Sequence, residues 1–142
     1  MKAIFKRFKK AASALLLSPL ILLCCDTKEL QIQQDFPFEV TVMPIPKEVA
    51  KGGTVEIRIS IKRDNRYSGA GYFIRFFQFD GKGTLQYQDE PAYIANDLYP
   101  LKTEKFRLYY TSQSSVSQSF DVWISDNFGN EKKLSFQFNN ID

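Results

Sequence analysis

Two cysteines, Cys24 and Cys25, stand side by side, and the chain has no other cysteine and no histidine. A bridge between neighbours would join Cα atoms about 3.8 Å apart, below the ~4.4–6.8 Å usual for a disulfide. A structural metal site needs further ligands that are missing here. Without histidine there is no Ser–His or Cys–His pair for nucleophilic catalysis. Carboxylates remain. Asp89 and Glu90 are adjacent, and Asp80, Asp97 and Asp126 each sit beside a glycine or an asparagine. A paired-carboxylate hydrolase needs two carboxyl groups facing each other across a cleft. These aspartates read instead as turn formers whose side chains accept hydrogen bonds from nearby backbone amides. No EF-hand spacing is present, and the DGKG stretch at 80–83 is too short to cradle a phosphate. The residue types therefore point away from an enzyme, and no cofactor or metal is expected.

The cysteines close an apolar run. The chain opens with MKAIFKRFKK, five positive charges in ten residues with no acid among them, followed by AASALLLSPLILLC, residues 11–24. As a helix this 14-residue run would be roughly 21 Å long, short of the ~30 Å core of a bilayer. It is apolar on every face and holds Pro19, which argues against a buried amphipathic helix. A basic segment before a short apolar one reads as an export signal. LLCCD resembles the lipobox, with Leu22 in the upstream position, Cys24 in the small-residue position and Cys25 as the lipid-bearing first residue of the mature chain. Lipidation at Cys24 is the alternative register, and there the preceding Leu23 is too large. Residues 1–24 are thus a cleaved lipoprotein signal, and residues 25–35 a polar tether. Several acyl chains at Cys25 would hold the protein firmly to a membrane, at about 0.8 kcal/mol per buried methylene.

Removing the leader changes the charge. The whole chain has 19 basic and 16 acidic residues; the leader takes five basic ones, leaving 14 against 16, net −2. The apparent basicity belongs to the discarded part, and direct nucleic-acid binding is not expected.

Residues 36–142 suffice for one domain, whose apolar core must hold without disulfides. Period-two alternation runs through FPFEVTV, TVEIRISIKR, TLQYQ, EKFRLYYT, SFDVWIS and KLSFQF. YFIRFFQF, residues 72–79, is apolar on both faces and reads as a central strand. DGKG reads as a hairpin turn, and DNFGNE as a tight link between the last two strands. MPIPKEVAKGG and DEPAYIANDLYP, each with two prolines, read as turn or irregular chain. Seven to eight antiparallel strands predict an all-β, immunoglobulin-like β-sandwich, with a small closed barrel as the alternative.

If EKFRLYYT and SFDVWIS pair as a hairpin, Arg107 falls opposite Trp123 and Tyr109 opposite Asp121. Arg, Tyr and Trp are the types enriched in binding hot spots, so Arg107, Tyr109 and Trp123 form the candidate partner-contact surface. The same residues would also serve simple cross-strand packing.

The stretches QQDFPFEVTVMPIPKEVAKGGTVEIRISIKR, YFIRFFQFDGKGTL, NDLYPLKTEKFRLYYTS and FDVWISDNFGNEKKLSFQFNN resemble the TraQ proteins of conjugative transposons from Gram-negative anaerobes, over residues 33–140. The resemblance implies a place among the envelope proteins of a DNA-transfer apparatus of the type IV secretion kind. It brings no catalytic residues. Together with the leader it predicts a non-enzymatic, lipid-anchored component of a Gram-negative cell envelope, in the outer membrane, acting by protein contact. The alternative is a carbohydrate- or peptidoglycan-binding module using Tyr93, Tyr99 and Trp123.

Overall fold

Alternating apolar residues become strands because each strand has one face to bury. In the computed structural model nine strands follow in order: β1 (Phe38–Val42), β2 (Glu48–Ala50), β3 (Thr54–Arg63), β4 (Tyr72–Asp80), β5 (Gly83–Tyr87), β6 (Tyr99–Leu101), β7 (Lys105–Ser112), β8 (Gln118–Asp126) and β9 (Glu131–Ile141). The structure describes residues 37–64 and 69–141. The expected signal at 1–24, the lipidated Cys25 and the tether at 25–35 lie outside the described residues.

The strands form two sheets, a four-stranded one in the order β1-β3-β7-β5 and a five-stranded one in the order β2-β9-β8-β4-β6. One apolar core joins them. The buried side chains of β3 (Val55, Ile57, Ile59, Ile61) and β7 (Phe106, Leu108, Tyr110) meet those of β4 (Tyr72, Ile74, Phe76) and β8 (Phe120, Val122, Ile124). Tyr110 stacks on Phe120 at 4.4 Å between ring centroids and on Phe138 at 5.6 Å, so aromatic rings span the gap between the sheets.

Three details of the sequence-based picture change. Among the described residues there are nine strands rather than seven or eight, and one pair, β2 with β9, is parallel. The two added strands, β2 and β6, are three residues long and lie in the two proline-rich stretches, where no alternation marks them. Next, DGKG is not a hairpin turn. β4 pairs with β8 and β6, whereas β5 pairs with β7, so this turn carries the chain from one sheet to the other. Gly81 there has φ 70°, and Gly83 passes so close to Tyr110 that a Cβ would lie 2.2 Å from its hydroxyl oxygen. Finally, β4 lies between β8 and β6 but is paired unevenly. It is bonded along its length to β8, but on the other side β6 covers only Tyr72–Ile74.

Two polar clusters fasten the layers at their ends. At one end Tyr110 Oη donates to Gln118 Oε1 at 2.7 Å, Gln118 Nε2 donates to Ser112 Oγ at 2.9 Å, and Gln78 Nε2 donates to Tyr110 Oη at 3.0 Å. At the other, Arg63 of β3 and Asp126 of β8 form an ion pair with side chains 4% and 0% exposed. Arg63 Nε also donates to Tyr72 Oη at 2.8 Å. Its guanidinium lies 5.4–5.5 Å from the ring centroids of Phe38, Tyr72 and Phe128. Asp126 Oδ1 accepts from the backbone amides of Phe128 and Asn130, each at 2.9 Å, closing the β8–β9 turn as its sequence predicts.

Candidate contact surfaces

The β7–β8 hairpin on which the Arg107–Trp123 pairing depended does not form. β7 pairs with β3 and β5 in the four-stranded sheet, and β8 with β4 and β9 in the five-stranded sheet. The intervening stretch crosses between layers, held by the buried Ser112, Ser114 and Gln118. Arg107 and Tyr109 therefore sit on one outer face and Trp123 on the other, with the core between them. Arg107 has Arg58 as its cross-strand partner, and Tyr109 lies between Glu56 and Gln86. The neighbours of Trp123 are Arg75 and Lys133.

Trp123 nevertheless belongs to a cluster, built by β4. The outward residues of this strand are Phe73, Arg75 and Phe77, and Phe79 joins them. Strict alternation would leave Phe79 opposite Ser119. Instead the register shifts between Gln78 and Asp80, and Asp80 takes Ser119 as partner. Phe79 is the extra residue of a β-bulge, a device that re-aims a side chain. Its ring stays beside Phe77, at 4.9 Å and 70° between planes, and near Trp123, at 6.5 Å and 58°. Phe79 is 55% exposed. The Arg75 guanidinium lies 4.1 Å from the Trp123 ring centroid, a cation–π contact made by Arg75 rather than Arg107.

Arg75 is itself positioned. Its Nη1 donates to Asn96 Oδ1 at 3.3 Å, and the Asn96 amide donates to the Phe76 carbonyl at 2.8 Å. Asn96 has φ 67°, a left-handed conformation that asparagine tolerates better than most residues. The loop so fixed carries two exposed apolar side chains, Ile94 at 64% and Leu98 at 59%. On the far side of Trp123, Lys133 Nζ lies 3.6 Å from Asp121 Oδ2. The sequence does hold a signal for this cluster. Apolarity on both faces of β4 means either a doubly covered strand or an aromatic outer face, and it is the second that forms.

Tyr93 and Tyr99 are not free platforms. They stack on each other at 4.5 Å, and Tyr99 Oη accepts from the Ile94 amide at 3.0 Å. Burial, reinforced by the negative charge of Glu90, pushes the Tyr93 hydroxyl far up, so it stays protonated.

The four-stranded sheet turns a polar face outward. Glu56 bonds Arg58 Nε and lies 3.6 Å from Arg107 Nε. The bond from Arg58 outweighs a small burial effect and holds the Glu56 carboxyl below its ordinary value. Among the described residues no group of three or more Asp, Glu, Cys or His side chains gathers as a metal site.

A family model described as TraQ conjugal transfer protein matches residues 10–141. The chain belongs to that family. Solved structures agree with the match. A conjugative transposon lipoprotein from Bacteroides eggerthii is 47% identical, with a TM-score of 0.69, covering 75% of this chain and 100% of that one. A lipoprotein from Bacteroides thetaiotaomicron is 48% identical, with a TM-score of 0.70, covering 81% and 88%. A conjugate transposon protein from Bacteroides vulgatus, solved as residues 27–141, is 47% identical, with a TM-score of 0.66, covering 79% and 91%. Among curated proteins none matches the chain. Membership of the TraQ family implies a role in conjugative transfer.

Proposed function

We propose that this TraQ-family chain is an exported, lipid-anchored envelope component of a conjugation apparatus, held by Cys25, that acts by protein–protein contact rather than catalysis. Residues 1–24 act as the leader, 25–35 as the tether and 36–142 as the contact domain. We read that domain as immunoglobulin-like. Its four-stranded order corresponds to strands A-B-E-D of that fold, and β9-β8-β4 to G-F-C. The names of two Bacteroides relatives, one a conjugative transposon lipoprotein and the other a lipoprotein, support the anchor. Outer-membrane placement belongs to the same reading.

The observation that carries the contact role is the aromatic cluster on the five-stranded face. Phe73, Phe77, Phe79 and Trp123 share one outer surface with Arg75, the composition of a binding hot spot. The rings are pitched at 58–70° to one another, which suits interleaving side chains better than the flat face of a sugar. A mating assay tests this. The gene is deleted from its mobile element and complemented with the wild type, with Cys25→Ala, and with Phe79→Ser/Trp123→Ala. Transfer should be restored by the wild type alone. Full restoration by Phe79→Ser/Trp123→Ala sinks the aromatic contact. Full restoration by Cys25→Ala sinks the anchor.

A further inference from the structure

The outer face of the four-stranded sheet is the less expected one, because it sets two arginines against each other. Arg58 and Arg107 are direct cross-strand partners on β3 and β7. Like charges so placed destabilise a sheet. Among the described residues one carboxylate, Glu56, answers both, and through the Nε atoms. Among the described residues the terminal Nη groups of both arginines have no acceptor. Lys105, the cross-strand partner of Ser60, adds a third cation. Together they line a shallow depression of about 500 Å³ with Thr41, Ser60 and Gln88, and no carboxylate lines it. Elsewhere on this face charge is balanced, with Glu39 opposite Lys62.

We propose that this depression binds an acidic segment of a partner protein, its carboxylates seated between Arg58, Lys105 and Arg107. Guanidinium forks with free Nη groups match carboxylate geometry and form charge-assisted hydrogen bonds. The Ser60 hydroxyl and the Gln88 side-chain amide supply further donors, while the Thr41 hydroxyl donates to the Ser60 carbonyl at 3.4 Å. The face favours a protein segment over a lipid surface because it is concave and polar. Of its lining residues only Met43, 58% exposed at the rim, is a large exposed apolar side chain that could enter a bilayer. This site is independent of the aromatic cluster, which lies on the other side of the core.

The test uses the full chain in neutral detergent and a fluorescein-labelled octa-glutamate peptide, read by anisotropy at low salt. Arg58→Gln/Arg107→Gln should weaken binding about tenfold, the loss of charge-assisted hydrogen bonds at an exposed site. Glu56→Gln should tighten it about threefold, because the competing carboxylate is gone. Lys132→Gln, on β9 of the other sheet, should leave it unchanged. Equal binding by wild type and Arg58→Gln/Arg107→Gln overturns the proposal. If that double variant does not fold, Glu56→Gln decides alone, and unchanged or weaker binding overturns it. A preference of the wild type for phosphatidylglycerol over phosphatidylcholine vesicles that Arg58→Gln/Arg107→Gln abolishes, with no binding of the peptide, also overturns it, in favour of a membrane face.

Discussion

Asp126→Asn should unfold this domain more readily than any surface change. Asp126 and Arg63 are buried together, 0% and 4% exposed, and they tie β8 of one sheet to β3 of the other. The substitution keeps the shape but removes the charge, leaving the Arg63 guanidinium buried among Phe38, Tyr72 and Phe128 with no counter-ion from Asp126. Removing one partner of a buried ion pair costs about 3–5 kcal/mol. A domain near 100 residues has roughly 5–15 kcal/mol of stability in all. At about 4 °C per kcal/mol, the melting point should fall by roughly 12–20 °C.

The pH dependence gives a second signature. Burial pushes the Asp126 carboxyl up, but hydrogen bonds from Asn130, Arg63 and Phe128 outweigh it, and the group ends below its ordinary value. A depressed carboxylate stabilises the fold above its unfolded pKa, about 3.9, and that stability fades as pH falls through the lower folded value. Wild type should therefore lose stability on acidification below about pH 4, and Asp126→Asn should lack that part of the loss. Replacing both partners, as Arg63→Met/Asp126→Leu, should recover much of the stability, because well-packed apolar pairs replace buried ion pairs at little loss. Urea unfolding followed by Trp123 fluorescence between pH 3 and pH 7 reads the wild type and both variants. An Asp126→Asn domain within about 1 kcal/mol of wild type, against the 3–5 kcal/mol of a broken buried pair, refutes the reasoning. So does an acid limb parallel to that of wild type.

Other perturbations test the remaining joints. Gly83→Ala should destabilise by about 1–3 kcal/mol or more in chemical denaturation, since its Cβ would meet the buried Tyr110 ring and hydroxyl at 2.2–2.5 Å. Tyr110→Phe should cost about 1–3 kcal/mol in the same assay, because it leaves Gln118 and Gln78 short of a buried partner. Phe79→Ser should change the unfolding midpoint little, within about 0.5 kcal/mol, because the ring is already 55% exposed. A large loss at Phe79 would mean that the ring serves the fold.

How much was legible varies by element for physical reasons. The burial patterns of β3, β7, β8 and most of β9 follow period-two alternation, because a strand with one wet face writes its orientation into its sequence. Strand partnership is not written that way. The alternation of β7 and β8 is the same whether they pair or lie in opposite layers. What separates them is the buried polar crossing at Ser112, Ser114 and Gln118, a serine-rich stretch that reads as an ordinary loop. The proposed contact triad failed as a single surface for this reason alone: each residue does face outward, on different sheets. Similarly, Asp80-Gly81-Lys82-Gly83 has the composition of a hairpin turn. Its glycines serve a left-handed bend and close passage over Tyr110 instead.

The aromatic cluster is the part that stability alone does not explain. A sheet face turned to water is ordinarily polar, as the four-stranded face of this molecule is. On the five-stranded face, β4 instead places three phenylalanines outward, and the ladder gives up one step to a bulge at Phe79. Exposed apolar rings gain nothing from solvent, and the bulge leaves a residue unpaired. Both features are unfavourable in the isolated domain and become favourable once a partner covers Phe77, Phe79 and Trp123. At roughly 25 cal/mol per Å² of apolar surface removed from water, covering even 200 Å² of these rings would contribute about 5 kcal/mol before the losses of association. That ordering of terms, unfavourable alone and favourable when covered, is the physical argument for reading this face as the working surface of the module.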